Sequence, residues 1–371
     1  KNYIDLGKDC STAEINPLFS DSVYIDRLSR IPAIMEMPYN DIIRKFIDMY
    51  AGRLRNQVSF MLSACNFYMP IFEEALDAYG LPLELRYLPI IESALNPSAV
   101  SRAGASGLWQ FMIGTGKIYG LESNSLVDER RDPIKATWAA ARYLKEMYDI
   151  YGDWNLVIAA YNCGPGTINK AIRRANGETD YWKIYNYLPK ETRGYVPAFI
   201  AANYVMTYYC DHNICPMETN IPASTDTVQV NKNLHFEQIA DLCNVPLDQI
   251  KSLNPQYKKQ MIPGDSKPYT LRLPIDAIST FIDKQDTIYT HRADELFRNR
   301  KTVAVKDITP ATRKTTSAVA GKGNLTYYTI KSGDTLSTIA RKYGVTIKDI
   351  QRWNGMSSTK IAAGKRLKIY K

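Results

Sequence analysis

At 371 residues the chain is too long for one compact core, so two or three domains are expected. Hydrophobic residues make up 45% of it, which excludes a largely disordered protein, and no run of about eighteen apolar residues is present to cross a membrane as a helix. The formal charge of +9 suits a polyanion of any kind, whether nucleic acid, anionic lipid or cell wall, but no recognition helix or aromatic-basic RNA-binding pattern accompanies it. Lys1 begins directly in polar sequence with no signal peptide visible, which fits a cytosolic protein or a mature form. The 26 tyrosines supply flat amphipathic surface for sugar rings or filling for helical cores.

Residues 1–35 read as an irregular N-terminal extension containing Pro17 and Pro32. From Asn40 a helical pattern starts, with Ile43, Phe46, Ile47 and Tyr50 on one face and Asn40 or Asp41 as its cap. Asn56 to Tyr79 makes a second long helix, which Gly80 ends. Asp132-Pro133 opens another, with Ile134, Trp138, Ala141, Leu144, Tyr148 and Tyr151 as its apolar stripe. Thr192 to Tyr209 is the last long helix, so residues 36–215 form a mainly α domain. The six cysteines of the chain are scattered; Cys210 and Cys215 lie close enough for an oxidising compartment to pair them, whereas zinc would need four ligands and His212 adds one.

The texture changes after Pro216. Residues 223–275 read as a small α+β unit of strand, helix, helix and strand, ending in TLRLP, and residues 326–371 repeat the pattern more clearly. The matching pairs Phe236/Leu336, Ile239/Ile339, Ala240/Ala340, Val245/Val345, Ile250/Ile350 and Asn254/Asn354 keep a constant offset of one hundred, the mark of an internal repeat. Between the copies, residues 293–325 are rich in Lys, Arg, Thr, Ala and Gly and read as a flexible basic linker.

The chemistry concentrates after Leu81. Leu83, Tyr87, Ile90 and Ile91 form an apolar helical face, and Glu92 follows at its end. A carboxyl set against apolar neighbours resists ionisation, so its pKa rises toward ~6, and it can hold a proton for a leaving oxygen near neutral pH. Ser93, Asn96 and Pro97 suit a turn leaving the helix, and GASGLWQFM brings two glycines followed by Trp109, Gln110, Phe111 and Met112 as cleft-lining candidates. Ordinary glycosidases place a second carboxylate across the cleft. Each candidate for that role has a simpler structural one: Asp132 caps a helix, Asp128 and Glu129 stand beside Arg130 and Arg131, and Glu191 starts a helix.

This stretch resembles the lytic transglycosylase family, which shares the goose-type lysozyme fold. The motifs are ES-x-x-NP at Glu92, Ser93, Asn96 and Pro97, then Ser101 and G-x-x-GLWQF from Gly104 to Phe111. AAYNCGPG at Ala159 to Gly166 matches the family's AYNxG, with Cys163 at the variable position, and ETRGYV at Glu191 to Val196 matches ET-x-x-Y. The resemblance implies that Glu92 is the sole catalytic acid, cutting between N-acetylmuramic acid and N-acetylglucosamine and leaving a 1,6-anhydromuramic end. It also implies substrate-binding roles for Ser101, Gln110, Met112, Tyr161, Asn162 and Tyr195. The repeat at 327–370 resembles LysM, a module that binds chains of N-acetylglucosamine, with Gly333, Asp334, Thr335, Leu336 and Asn354 as its motif residues. The copy at 227–274 has Asn233-Leu234-His235-Phe236 in place of that GDTL string, and its glycan binding is in doubt.

The resemblance thus implies an enzyme of the bacterial envelope or periplasm that acts as a monomer on peptidoglycan. Such an enzyme needs no metal or other cofactor and no nucleic acid, and it meets the membrane only through an N-terminal lipid anchor. Two alternatives remain: a hydrolytic muramidase of the same fold, and a catalytically silent wall-binding protein.

Overall fold

In a computed structural model, residues 4, 13–222, 224–298, 325–331, 333–354, 356, 358, 359 and 361–370 are described. They fall into two compact units, one comprising the described residues up to 298 and the other those from 325. The fold is mainly α, followed by small α+β modules.

The α domain is organised around the helix Tyr195–Tyr208, which buries twelve of its fourteen residues, from Tyr195 to Met206. Such an all-round apolar helix is stable only when other helices enclose it. The helix Asp41–Ala51 lies along it, with Ile43 and Ile47 fully buried and the Asn40 side chain accepting from the amides of Ile42 and Ile43. The long helix Arg55–Ala78 and the helix Pro133–Tyr151 complete the frame; Asp132 caps the latter through Ile134 and Lys135, and Pro133 takes its first position. Phe72 meets Trp109 edge-on at 5.4 Å between these layers, and Trp109 Nε1 donates to Thr137 Oγ1 at 2.9 Å.

Three expectations change here. The N-terminal extension contains a helix, Asp21–Ser29, whose charged residues hide a short apolar face of Tyr24 and Leu28 one turn apart, both buried. The expected helix from Thr192 is two helices, Lys190–Arg193 and Tyr195–Tyr208, joined at Gly194; a Cβ there would crowd the Phe46 ring. Cys210 is in a disulfide, but not with Cys215, so the expected pairing does not form. His212 instead shares hydrogen bonds with Asn16 and Tyr204, and among the described residues no His, Cys, Asp and Glu cluster could hold a metal.

The first small module pairs Thr225–Val230 antiparallel with Tyr269–Pro274, and the helices Phe236–Cys243 and Leu247–Leu253 lie between them in sequence. The second pairs Leu325–Thr329 with Arg366–Tyr370 around the helices Leu336–Tyr343 and Ile347–Trp353. The hundred-residue offset reappears as identical bonding. Asn254 Nδ2 donates to the carbonyls of Ile250 and Arg272, and its Oδ1 accepts from the Arg272 amide at 2.8 Å. Asn354 does the same with Ile350 and Lys368, its Oδ1 accepting from the Lys368 amide at 2.7 Å. Each asparagine thus ties the end of the second helix to the last strand.

The first module extends beyond Ile275, because the helices Ile275–Asp283 and Gln285–Thr290 bury Phe281 and Ile288 in its core and Phe297 packs against it. Residues 293–298 therefore belong to this module, including the short helix Ala293–Leu296; of the rest of the expected linker, 299–324 lie outside the described residues and Leu325 opens a strand of the second module. This module is also joined firmly to the α domain. Leu126 and Val127 sit in its hydrophobic core, Asp128 N donates to Gln256 O at 2.9 Å, and Lys258 N donates to Leu126 O at 2.8 Å. Glu122 receives Lys267 at 2.6 Å and the Tyr269 hydroxyl at 3.1 Å.

Asn254→Ala removes three hydrogen bonds and strands their backbone partners inside the module, a cost of about 2–4 kcal/mol. Denaturant unfolding of the variant should show that loss for the larger unit alone, and Asn354→Ala the corresponding loss for the C-terminal module alone. Unchanged stability in both would contradict the shared role.

Candidate active site

Glu92 ends the short helix Leu88–Ser93, which Pro89 opens. The chain then turns sharply, because Ala94 and Leu95 both take left-handed backbone conformations at φ 51° and 57°. For side chains other than glycine this conformation costs about 1–2 kcal/mol per residue, and it persists because the surrounding loop pins the turn. Ser93 Oγ donates to Leu108 O at 2.9 Å, while Gly107 passes so close to Arg130 that any Cβ would overlap the Arg130 carbonyl oxygen. Arg130 in turn donates to the carbonyls of Gly104 and Phe111 at 2.8 and 2.9 Å, clamping the GASGLWQF loop beneath Glu92.

The Glu92 carboxyl accepts a hydrogen bond from the Tyr195 hydroxyl, delivered by the first residue of the central helix. Burial pushes its pKa up, the Tyr195 hydrogen bond pulls it back, and the negative Glu191 side chain adds to the rise, leaving it at about 7. The rise has the direction that the sequence leads one to expect. Around Glu92 lies a hollow of about 590 Å³ lined by Phe46, Tyr50, Ser101, Gln110, Glu191 and Tyr195 among others.

The expected substrate residues divide into two groups. Ser101, Gln110 and Tyr195 line this hollow. Ser101 Oγ accepts from the Ala105 amide, and Gln110, left-handed at φ 49°, donates to the carbonyls of Ala99 and Gly107. Tyr161, Asn162 and Met112 do not line it. Tyr161 donates to Trp109 O at 2.7 Å; burial raises its hydroxyl pKa and the charge of Glu92 adds to the rise, so it stands close to the carboxyl, while Asn162 accepts from Thr192 Oγ1 at 3.0 Å. Met112 is 45% exposed at the head of the helix Ile113–Ile118. Trp109 and Phe111, also expected in the cleft, are buried in the core, because the left-handed turn at Gln110 sends its neighbours inward. Phe46, Tyr50 and Glu191 are lining residues the motif reading missed. Phe46 and Tyr50 read only as a core face, and Glu191 as a helix start.

Two of the other carboxylates are held in ion pairs. Asp128 is buried against Arg130; burial alone would raise its pKa, but the Arg130 hydrogen bonds and charge outweigh this and lower it. Glu129 pairs with Lys135.

In the C-terminal module the motif residues serve its architecture. Gly333 turns at φ 87°, and Asp334 accepts from the Tyr328 hydroxyl and the Lys331 amide, both at 2.8 Å. Thr335, and not Asp334, caps the first helix through a reciprocal pair with Thr338, while Leu336 is 2% exposed.

Comparison with known proteins matches the "Transglycosylase SLT domain" family model at residues 69–184, the "Lytic transglycosylase MltD, LysM-like domain" at 224–290 and the "LysM domain" at 328–369. Membrane-bound lytic murein transglycosylase D of Escherichia coli K12 is 32% identical over 339 residues, covering 90% of this chain and 70% of its own. The soluble lytic murein transglycosylase of the same strain is 33% identical over 124 residues, 32% of this chain and 19% of that one. The crystal structure of the 70 kDa soluble lytic transglycosylase from Escherichia coli overlaps 38% of this chain and 24% of its own, at 30% identity and a TM-score of 0.34. The chain belongs to the lytic transglycosylase family, in the group of the membrane-bound D enzyme. It is accordingly a lytic transglycosylase of the bacterial cell envelope that acts on peptidoglycan, and no described helix is long and apolar enough to cross a membrane.

Moving the Glu92 pKa from 4.5 to about 7 in the folded state means that stability is greatest below pH 4.5 and falls as pH rises to 7. At about 1.4 kcal/mol per unit, the ionised carboxylate costs about 3 kcal/mol above that pH. Glu92→Gln should therefore match the wild type near pH 4.5 and exceed it by about 2–3 kcal/mol at pH 8 in urea unfolding. A difference that does not change with pH would contradict the burial of an ionisable group here.

Proposed function

We propose that Glu92 acts alone, first as acid and then as base, to cut the β-1,4 bond between N-acetylmuramic acid and N-acetylglucosamine and leave a 1,6-anhydromuramic end. The single observation that carries this reading is the protonated-ready carboxyl of Glu92, held at about 7 in the wall of the hollow. Near neutral pH a large share of it carries a proton for the glycosidic oxygen. As that bond breaks, the 2-acetamido group of the muramic acid attacks C1 and holds it. The Glu92 carboxylate then takes the proton of the C6 hydroxyl, whose oxygen attacks C1 and closes the anhydro ring; no water is consumed. Tyr195 orients the carboxyl for both transfers, and Ser101 and Gln110 present polar groups to the sugars.

The C-terminal LysM module holds the enzyme on glycan strands in the periplasm and raises the local concentration of its substrate. The first module serves a different purpose, because the loop after its second helix, Gln256 to Lys258, is taken up in gripping the α domain.

Mass spectrometry of muropeptides released from purified sacculi tests the chemistry. The wild type should release fragments lighter than hydrolytic ones by one water, and Glu92→Gln should retain less than about a thousandth of the rate. Release should fall as pH rises through about 7, since the proton must be present. Reducing ends would instead assign a muramidase, with Glu191 as its second acid; no release by the wild type would assign a binding protein.

A further inference from the structure

A second and larger hollow, about 1080 Å³, lies between the α domain and the first small module. From the α domain it takes the long helix, at the exposed Phe60, the part-buried Phe67 and the buried Tyr68, and from the module it takes the second helix, at Gln249 and Ser252. The segment Met217–Pro222 lines it too, held down where Met217 N donates to Ser59 O at 3.2 Å and Ser63 Oγ donates to Met217 O. Because the module is joined to the α domain through shared core residues and main-chain hydrogen bonds, the groove is part of the resting shape of this unit.

Two features say what it holds. The first is position. The turn that leaves Glu92 is the wall common to both hollows: Ala94, Ala99 and Val100 face the catalytic one, and Leu95, Asn96, Pro97 and Ser98 face the groove. A polymer seated over Glu92 therefore passes within one turn of chain of the groove. The second is chemistry. Phe60 is 38% exposed, a large apolar surface to leave beside a hollow, and amide and hydroxyl groups of Asn96, Ser98, Gln249 and Ser252 surround it. No described lining residue is Lys or Arg, and two are acidic, Glu218 and an Asp248 paired with Lys251 at 3.0 Å, although the whole chain carries +9. Such a surface disfavours carboxylate-bearing peptide and suits an uncharged N-acetylated sugar, whose apolar ring face rests on an aromatic while its hydroxyl and amide groups find polar partners.

We infer that this interdomain groove is an additional subsite for the glycan backbone, and that the first module extends the cleft along the strand. The inference rests on the assignment of the Glu92 hollow as the cleavage site. It is tested with full-length enzyme and glycan strands of defined length, prepared with and without stem peptides. Phe60→Ala, from the α-domain side, and Ser252→Trp, which fills the groove from the module side, should each raise KM for long strands about threefold to tenfold. Both should leave kcat, and turnover of a short soluble fragment, unchanged. A KM that is the same as wild type at every length overturns the proposal. A shift seen only when stem peptides are present also overturns it and gives the groove to the peptide. Failure of the Glu92 assignment would show in product masses and in the rate of Glu92→Gln, not in this dependence on length.

Discussion

A carboxyl group partly withdrawn from water near the end of a six-residue helix is the constraint on which the rest of this enzyme depends. Water would solvate Glu92 as an anion and leave it no proton to give; the protein prevents this by burial, and ionisation then costs about 3 kcal/mol. The surrounding structure exists to keep the group in place under that cost. The helix must stop abruptly, so Ala94 and Leu95 accept left-handed backbone. The loop below must come close, so Gly107 lies against the Arg130 carbonyl and Arg130 clamps Gly104 and Phe111. Its polar partner, the Tyr195 hydroxyl, arrives on a helix buried along most of its length.

The two small modules show one architecture put to different uses. Asn254 and Asn354 knot helix to strand in the same way in each. In the first copy the loop beyond this asparagine is spent on the α domain, with Gln256 and Lys258 bonded to the 124–128 segment. That union turns a sugar-binding type of module into a structural extension of the catalytic unit and creates a second hollow beside the first. The C-terminal copy, in its own unit, keeps its GDTL turn and its capped helix.

Much of this was legible in the sequence because it depends on local signals. Pro133 behind Asp132, the stripe of the long helices and the hundred-residue repeat each state a physical requirement that neighbouring residues satisfy. Glu92 stood out because apolar residues precede it and because it opens the ES-x-x-NP string that resembles the lytic transglycosylases. Other features depend on contacts distant in sequence or on backbone sign. The left-handed turn at Gln110 decides that Trp109 and Phe111 go inward, and nothing in the letters reveals it. Tyr161 and Asn162 sit in a recognisable motif, but that their hydrogen bonds go to Trp109 O and Thr192 depends on contacts distant in sequence. Glu191 and Phe46 join the hollow only through packing of distant helices. The module was placed too short because the burial of Phe281 and Ile288, which marks its later helices as its own, shows only in the packing.

Catalysis here comes down to the protonation state of one side chain, and this can be observed directly. Infrared or carbon NMR titration of enzyme labelled with ¹³C at glutamate carboxyls, with Glu92→Gln as the subtraction, isolates the Glu92 signal. The expected result is a carboxyl that titrates at about 7. A group that ionises near the ordinary 4.5 would contradict the proposed role, since the side chain would then enter the reaction as a solvated anion with no proton for the leaving oxygen.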